Sequence, residues 1–505
     1  MNSEKPTAEP VEPVTAIRPE DERLSPGATL GYGIQHIAAM FGGVIAVPLI
    51  ISTAAHLSPT DTAVLVSGCL FISGLATLLQ TLGVPGFGSQ LPLVQGVSFA
   101  TVATMTAIIG SDGGKEELRT VFGAVILACA VGLLIVPLFA RIVRFFPAVV
   151  TGSVITVIGL SLMPVAAGWI TGQEKIRNSA GELVDNAKYL SVGNIGLAMA
   201  TLLLILICSK IQRLTRVAIL IGLVGGTVIA ACFGQVTTKA FDGASVFGFP
   251  KPFAFGWPIF AVGACVSMFI AVLVIMVETT ADVLAVGEVV GTEVDGKRVS
   301  AGLRADLGAS VVAPVFNSFP ATAFAQNVGL VALTGIKSRF AVAAGGVVLL
   351  VLGLSPMAAA VVGLIPTPVL GGAGIALFGT VAASGIRTLG KVDYDGTSNL
   401  IVVGVSVGLG LVPVVSPHFW ERLPEWAATI LHSGISCAAI AAVILNIAFN
   451  LIRPTKPSGS TLAEAPALQI TDVEMRILAE GGAFEAGQPV KVRTATPPEP
   501  SHHDH

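Results

Sequence analysis

The sequence predicts an all-α polytopic membrane protein whose fourteen transmembrane segments form an inverted repeat of seven plus seven. Three observations lead to this prediction. Hydrophobic residues make up 53% of the 505 residues and charged residues only 12%, whereas an ordinary soluble domain carries about 25% charged residues. Long uncharged runs recur along the chain. Two interrupted runs, one in each half, carry a proline followed by polar residues at equivalent offsets.

The predicted spans are apolar runs, since a helix crosses the bilayer with about 20 apolar residues. Eleven runs are treated as full spans: 28–51, 62–82, 119–140, 147–170, 190–209, 217–234, 257–284, 340–354, 356–384, 396–415 and 428–452. Three further runs are shorter or broken: 91–110, 305–318 and 321–335. Together they make fourteen crossings. The charged, Pro-rich segments 1–27 and 453–505 are predicted to be disordered cytoplasmic tails.

Positive charge supports the even number of crossings. If the chain starts inside with Arg18 and Arg23, fourteen Lys and Arg residues of the short connections and span ends fall inside and eight outside. Lys and Arg are retained on the cytoplasmic side of a membrane. The pattern predicts a multi-pass protein of the cell (inner or plasma) membrane with both termini in the cytoplasm.

The two interrupted runs predict a central site. Pro92 is followed after six residues by Ser98–Phe99, and Pro320 is followed at the same offset by Gln326–Asn327. Irregular backbone at membrane depth is tolerated where it is buried in protein or lines a cavity. We expect a short extended stretch after each proline and then a helix start, so that spans 3 and 10 direct free N–H groups at one place near mid-membrane. Two ordinary Pro-kinked helices are the alternative.

Ionisable residues inside predicted spans mark candidate functional positions, because a carboxylate in the bilayer is costly unless paired. Glu278 and Asp282 lie four residues apart and therefore on one helical face. Asp306 opens a long uncharged run. A solvated or capping role is the alternative for Asp282, and a helix N-cap for Asp306.

Polar residues with both donor and acceptor groups complete the set. His36 follows Gln35 midway along the first span, and a satisfied core histidine is the alternative there. The two amides of Gln326 and Asn327 present donor and acceptor edges. Beside a carboxylate, such an amide matches a flat heterocycle that bears imide N–H and C=O groups.

Other classes of function find little support. The net charge of −3 does not favour nucleic-acid binding, and the six cysteines are scattered without metal-ligand spacing. No HExxH or GxSxG motif is present, so we expect neither an enzyme nor a bound metal or cofactor. A channel remains an alternative, although it would not need a proton gradient.

The run "QNVGLVALTG", Gln326 to Gly335, resembles the signature of the nucleobase–ascorbate transporter family. In this signature Gln or Glu precedes Asn, a Gly follows two residues later, and a Thr five after the Gly. The resemblance extends to "QH" in the first span, "ETTAD" in the eighth, and Asp306 twenty residues before Gln326. It covers about residues 28–452.

The resemblance implies a proton-coupled symporter, usually a homodimer in the lipid bilayer, driven by the proton gradient. Its core domain (spans 1–4 and 8–11) moves against a gate domain (spans 5–7 and 12–14), in an elevator-type mechanism. In this chain the core corresponds to residues 28–145 and 257–354, and the gate to residues 146–256 and 355–452.

The resemblance also assigns roles to residues. Glu278 and Gln326 match side chains that hydrogen-bond the base, and Phe99 and Ala325 match backbone groups that touch it. Asn327 and His36 match a pair that shapes the site. Asp282 and Asp306 match acidic positions tied to transport and proton coupling, which Glu278 could share.

Two residues indicate the substrate. Pyrimidine-type members tend to carry Glu where this chain has Gln326, which favours oxidised purines such as xanthine and uric acid. Xanthine-restricted bacterial members often have Asn in the position of Ser98, so a hydroxyl there favours uric acid, alone or with xanthine. The alternatives are a uracil or other pyrimidine permease, and a sulfate- or bicarbonate-type anion transporter of the same fold.

Overall fold

The computed structural model describes residues 18–110, 113–139, 145–172, 175–177, 183–185, 189–236, 245–395 and 398–452. The predicted C-terminal tail, 453–505, lies outside the described residues, as do residues 1–17 of the predicted N-terminal tail.

The fold is built almost entirely from helices. In the first half these are α1 (Pro26–Ala54), α2 (Pro59–Leu82), α3 (Val102–Ile109), α4 (Lys115–Ile135), α5 (Ala148–Ser161), α6 (Met163–Thr171), α7 (Val192–Lys210) and α8 (Ala218–Cys232). In the second half they are α9 (Val262–Val290), α10 (Gly296–Val312), α11 (Ala325–Thr334), α12 (Arg339–Gly353), α13 (Pro356–Val362), α14 (Thr367–Leu389), α15 (Asn399–Val415), α16 (Glu425–His432) and α17 (Gly434–Asn446). The strands are β1 (Gln95–Val97), β2 (Lys175–Arg177), β3 (Leu183–Asp185) and β4 (Ala321–Ala323).

The prediction of a helical, multi-pass membrane protein is confirmed. Within the described ranges, ten helices are long and apolar enough to cross a bilayer, or eleven if the bent pair α12 and α13 forms one span. Shorter apolar helices lie at Phe99–Ile109 and Asn399–Val415. The count of fourteen crossings and the inverted repeat remain predictions.

The interruptions in spans 3 and 10 are confirmed. Run 91–110 contains β1, a 3-10 turn and then α3, and run 321–335 contains β4 followed by α11. The third short run, 305–318, differs from the expectation because α10 already begins at Gly296. Its N-cap Asp295 accepts the backbone N–H of Arg298 at 2.8 Å. The first turns of α10 contain charged residues, so the apolar run begins later in the chain than the helix does.

Small residues bring helices of the two halves together. A Cβ on Gly74 of α2 would lie 2.6 Å from the backbone nitrogen of Leu350 in α12. The same helix approaches α1 at Gly33, where a Cβ would lie 2.7 Å from the nitrogen of Gly345. Close backbone approach through small residues is the usual way in which helices associate in membranes. As a result α12 packs between α1 and α2.

Polar contacts gather at the two ends of α2. Near its start, Lys115 Nζ pairs with Asp61 at 2.9 Å. At its other end, Arg339 Nη1 donates to the carbonyl of Thr81 at 2.8 Å. Twenty residues of helix span about 30 Å, the thickness of the hydrocarbon core. Arg339 and Lys115, which the charge pattern assigns to opposite sides, therefore lie at opposite ends of the helical layer.

A short N-terminal segment is held at the Arg339 end. Glu20 is fully buried and accepts a hydrogen bond from Arg298 Nη2 at 2.5 Å. Asp21 accepts from Arg339 Nε at 2.6 Å and from Arg18 Nε at 2.8 Å. Composition assigned residues 1–27 to a disordered tail, whereas residues 18–27 contact the starts of α10 and α12. The acidic residues of this segment pair with the partly buried Arg298 and Arg339, which composition alone does not reveal.

Candidate functional site

The two interrupted spans meet in a small antiparallel sheet. Gln95, Gly96 and Val97 of β1 pair with Ala323, Thr322 and Ala321 of β4, respectively. The pairing continues on both sides, because Ser98 N donates to Pro320 O at 2.8 Å and Phe324 N donates to Val94 O at 3.1 Å. Both strands are buried. Interrupted backbone in the two halves thus satisfies its hydrogen bonds mutually, as irregular structure inside a bilayer requires.

Each strand leads into a helix start, and the two starts are capped differently. Ser98 is fully buried, and its hydroxyl accepts the backbone N–H of Ala100 at 3.2 Å. Phe324, at the N-cap of α11, provides no side-chain cap. The first N–H groups of a helix have no partner within the helix. The start of α11, at Ala325 and Gln326, is therefore the more open donor site.

Gln326 and Asn327 face in different directions. Gln326 is exposed, and its amide makes no hydrogen bond to any described residue. Asn327 is fully buried; its Oδ1 lies 2.6 Å from His36 Nδ1 and its Nδ2 donates to Pro92 O at 2.6 Å. Asn327 thus ties α1 to both interrupted spans, and Gln326 remains available to a ligand.

His36 is a buried partner of Asn327 rather than a free side chain. It is 1% exposed and lies within α1. Since Asn327 Oδ1 can only accept, His36 Nδ1 carries the proton in this contact. The predicted pair is therefore in direct contact and fixes the position of α11.

Glu278 lies where α9 meets α5. It is half-buried and lines a small cavity together with Val274, Val277 and residues of the segment 146–155. Among the described residues no hydrogen bond to its carboxyl is formed, and it does not contact Gln326 by a hydrogen bond. Its helix nevertheless packs against both α11 and the 3-10 turn that follows β1. The helix of Glu278 thus packs on the elements of the strand crossing, and the carboxyl itself lacks a hydrogen-bond partner among the described residues.

The side chains of Asp306 and Asp282 are less exposed than that of Glu278. Asp306 is 1% exposed and accepts a hydrogen bond from Thr279 Oγ1 at 2.6 Å through Oδ2. Asp282 is also buried. Within the described structure, Asp306 Oδ1 and Asp282 Oδ2 have no hydrogen-bond partner. The three carboxyls lie close enough for their charges to repel one another.

Aromatic side chains lie beside the helix starts. The ring of Phe99 is nearly parallel to that of Phe324, with centroids 6.4 Å apart, and it meets the edge of Phe378 at 6.1 Å. Trp169 contacts Phe378 at 6.3 Å. Phe378 belongs to α14 and Trp169 to α6. These ring contacts therefore join helices of both predicted domains.

Sequence reasoning missed several of these residues. Thr279 lies inside the quoted run "ETTAD", but a threonine in a helix usually satisfies itself on its own backbone, so nothing singled it out. No sequence pattern marked Thr322, Phe324 or Phe378 as part of the site, because their positions depend on strand pairing and on the packing of distant helices.

The sequence is similar over most of its length to those of known proteins. A family model described as "Permease family" matches residues 27–419. The uric acid transporter UacT of Escherichia coli is 38% identical over 441 residues, which cover 86% of this chain and 89% of that protein. The xanthine permease of Bacillus subtilis is 39% identical over 432 residues, 85% of this chain and 95% of that protein. The uric acid permease PucJ of Bacillus subtilis is 36% identical and is covered to 96%.

Solved structures with the same fold are more distant in sequence. The transmembrane domain of a cyanobacterial bicarbonate transporter, BicA, aligns over 82% of this chain and 96% of its own, with a TM-score of 0.54 and 17% identity. The murine anion transporter Slc26a9 aligns over 84% of this chain and 69% of its own, with a TM-score of 0.56 and 14% identity. At these identities the likeness shows the fold alone.

Proposed function

The chain belongs to the nucleobase–ascorbate transporter family, and on this basis we propose that it imports oxidised purines, uric acid, xanthine or both, by proton-coupled symport. The relatives of 36–39% identity named above are uric acid and xanthine permeases. This chain aligns with most of the length of each of these relatives, so we apply their substrate class to this chain as a whole transporter.

The observation that carries this proposal is the crossing of β1 and β4. The crossing leads into the uncapped start of α11, where the amide of Gln326 is exposed, and the helix that bears Glu278 packs against α11. The amide of Gln326 and the carboxyl of Glu278 lack protein partners among the described residues, whereas the amide oxygen and the amide nitrogen of the neighbouring Asn327 are both hydrogen-bonded. A ligand with N–H and C=O groups along one edge of a planar ring would supply the missing partners.

In the proposed complex Glu278 accepts N–H hydrogen bonds from the purine, and Gln326 pairs its amide with the imide edge. The helix starts at Ala325 and Phe99 donate N–H groups to carbonyl oxygens. Hydrogen bonds to charged groups contribute about 1.5–3 kcal/mol each, and Phe99 adds stacking surface. Ser98 acts indirectly, by holding the helix start behind Phe99.

Proton coupling fits the buried carboxyls. Glu278, Asp282 and Asp306 would place up to three negative charges together in a medium of low dielectric, where charge repulsion is strong. Uptake of a proton lowers this cost and lets the substrate-bound core move. We assign the core to residues 28–145 and 257–354 and the gate to residues 146–256 and 355–452, working in a homodimer. The packing of α4 on α9 and of α2 on α12 supports the core, and the packing of α5 on α14 and of α15 on α17 supports the gate.

Competition experiments distinguish this proposal from its alternatives. Uptake of labelled xanthine is measured in cells that express the chain, with unlabelled uric acid, xanthine, hypoxanthine, uracil or sulfate, and with or without an uncoupler. The proposal predicts competition by uric acid and xanthine and collapse of accumulation with the uncoupler. Competition by uracil alone would favour a pyrimidine permease. Competition by sulfate would favour an anion transporter, which the carboxyl cluster disfavours because it would repel an anion.

A further inference from the structure

Thr279 occupies an unusual position between the carboxyl cluster and the strand crossing. It is fully buried on α9, and its hydroxyl donates to Asp306 Oδ2 at 2.6 Å instead of to its own helix. The same hydroxyl lies 3.2 Å from Thr322 Oγ1. Thr322 is the central residue of β4 and pairs with Gly96 of β1. One side chain therefore connects three elements: α9, α10 and the sheet.

The direction of these hydrogen bonds follows from the number of protons. A hydroxyl has one proton to donate and can accept through its oxygen. Because Thr279 gives its proton to Asp306, the contact with Thr322 is donated by Thr322. Thr322 of the strand crossing thus donates to Thr279, and Thr279 donates to the carboxylate of Asp306.

This arrangement makes the two oxygens of Asp306 unequal. Oδ2 accepts the hydrogen bond from Thr279, and the backbone of Ala323 in β4 also interacts with this carboxyl. Oδ1 is buried and makes no hydrogen bond of normal geometry to a described residue. An unpaired buried carboxylate oxygen is costly, and a bound proton would lower this cost by turning the carboxylate into a neutral acid. The charged groups that face Asp306 are Glu278 and Asp282 of α9, and both are negative. No described cation pairs with any of the three.

We propose that Thr279 is a positioning residue for proton coupling: its hydroxyl holds Oδ2 of Asp306 toward β4 and leaves Oδ1 as the atom that binds the transported proton. The charge state of Asp306 is then linked to the crossing that presents the ligand. This inference rests on the proposed symport function and deepens it. The proton is bound on one side of the membrane and released on the other, and no other bond changes.

The neighbouring threonine provides a matched control. Thr280 is on the same helix, but its hydroxyl donates to the backbone carbonyl of Met276 at 2.8 Å, away from the carboxyls. The variants are Thr279→Val, which keeps shape and loses the hydroxyl, Thr279→Ser, which keeps the hydroxyl, and Thr280→Val.

Each purified variant is placed in liposomes and assayed in two ways: accumulation of labelled xanthine or uric acid driven by a pH gradient, and exchange of labelled for unlabelled substrate without a gradient. We expect Thr279→Val to lose accumulation at least about tenfold, as removal of a hydrogen bond to a charged group predicts, while exchange stays within about threefold of wild type because the ligand-facing groups are intact. Thr279→Ser and Thr280→Val should accumulate substrate like wild type.

Three results would overturn the inference. The first is accumulation by Thr279→Val at the wild-type level. The second is an equal loss of accumulation and exchange, and the third is a Thr279→Ser variant as defective as Thr279→Val, because either of these would indicate a packing role. Failure of the wild-type protein to accumulate any purine would instead refute the proposed function, so the two failures are distinguishable.

Discussion

At the scale of single residues, the hydrogen bonds of Asn327 decide how the site is built. Its amide oxygen is hydrogen-bonded to His36 and its amide nitrogen donates to the carbonyl of Pro92. The amide of the adjacent Gln326 has no such partners in the described part of the chain. Two neighbouring amides therefore have separate tasks: one fixes the backbone of the crossing, and the other is free to recognise a ligand.

Asn327→Ala should destabilise the protein as well as impair transport. The substitution leaves two buried polar groups without partners, and each costs about 1–3 kcal/mol. We expect a clearly lower melting temperature in detergent. The loss should be non-additive with that of His36→Ala, because the two residues share one contact. Additive effects of the two substitutions would contradict the contact.

Sequence reasoning at this scale singles out a polar residue that stands in an apolar run. His36, Asn327, Asp282 and Asp306 are all buried, and the first two are in contact, while their roles in transport stay predictions. It could not show that Ser98 is a buried cap, or that Thr279 holds Asp306. A hydroxyl residue has several ways to satisfy itself locally, so its true partner is known only when distant segments are placed.

At the scale of elements, the β1–β4 crossing depends on a residue without a side chain. A Cβ on Gly96 would lie 2.6 Å from Cζ of Phe324. The ring covers the strand closely at this point, and no other residue type fits without displacing it.

Gly96→Ala should therefore move the Phe324 ring or spread the strands. Overpacking of this kind costs about 1–3 kcal/mol, and we expect reduced uptake with a lower melting temperature. Gly196→Ala on α7 is the control, since no atom lies within 4 Å of a Cβ there. Adding Phe324→Leu to Gly96→Ala should restore part of the lost stability. A double variant that melts at the same temperature as Gly96→Ala would show that the Phe324 ring is not the source of the clash.

The N-terminal segment provides a pH-dependent contact. Burial raises the pKa of Asp21, but hydrogen bonds and charge from Arg18 and Arg339 outweigh it, so its pKa lies below the usual value. A lowered pKa in the folded state means that Asp21 stabilises the fold above its ordinary pKa of about 4 and loses this contribution as the pH falls further. Asp21 is 23% exposed, so solvent screening reduces the effect.

Melting curves of wild type and Asp21→Asn check this. The wild type should be the more stable near neutral pH, and the difference should shrink as the pH falls below about 4. A difference that is constant with pH would show that the carboxylate charge of Asp21 does not contribute.

At the scale of the whole molecule, contacts between the predicted core and gate should break during transport. Thr104 Oγ1 of α3 lies 2.9 Å from Ser433 Oγ, which precedes α17, and both are fully buried. The proposed domains place these residues on opposite sides of the moving boundary.

A disulfide between Thr104→Cys and Ser433→Cys should therefore stop transport when oxidised and release it on reduction. Each single variant, in a background without the exposed Cys232, is the control. Unchanged uptake by the cross-linked protein would contradict an elevator-type movement at this boundary.

Much of the architecture was predictable because lipid constrains it so strongly. Apolar runs located most helices to within a few residues, and the paired prolines located both interruptions. Predictions from composition were wrong where charged residues lie in folded segments. Examples are the first turns of α10 and the segment that contains Glu20 and Asp21. The predicted number of fourteen crossings stays a prediction, since helices such as α13 and α16 are too short for length alone to show whether they cross.

The most direct test of the central claim is proton-driven uptake of labelled uric acid and xanthine by Glu278→Gln, with Glu288→Gln as the control on the exposed end of the same helix. Membrane levels of both variants are measured in parallel. The account predicts that Glu278→Gln reaches the membrane but loses uptake of both purines, whereas Glu288→Gln transports like wild type. Full proton-driven uptake by Glu278→Gln would contradict it.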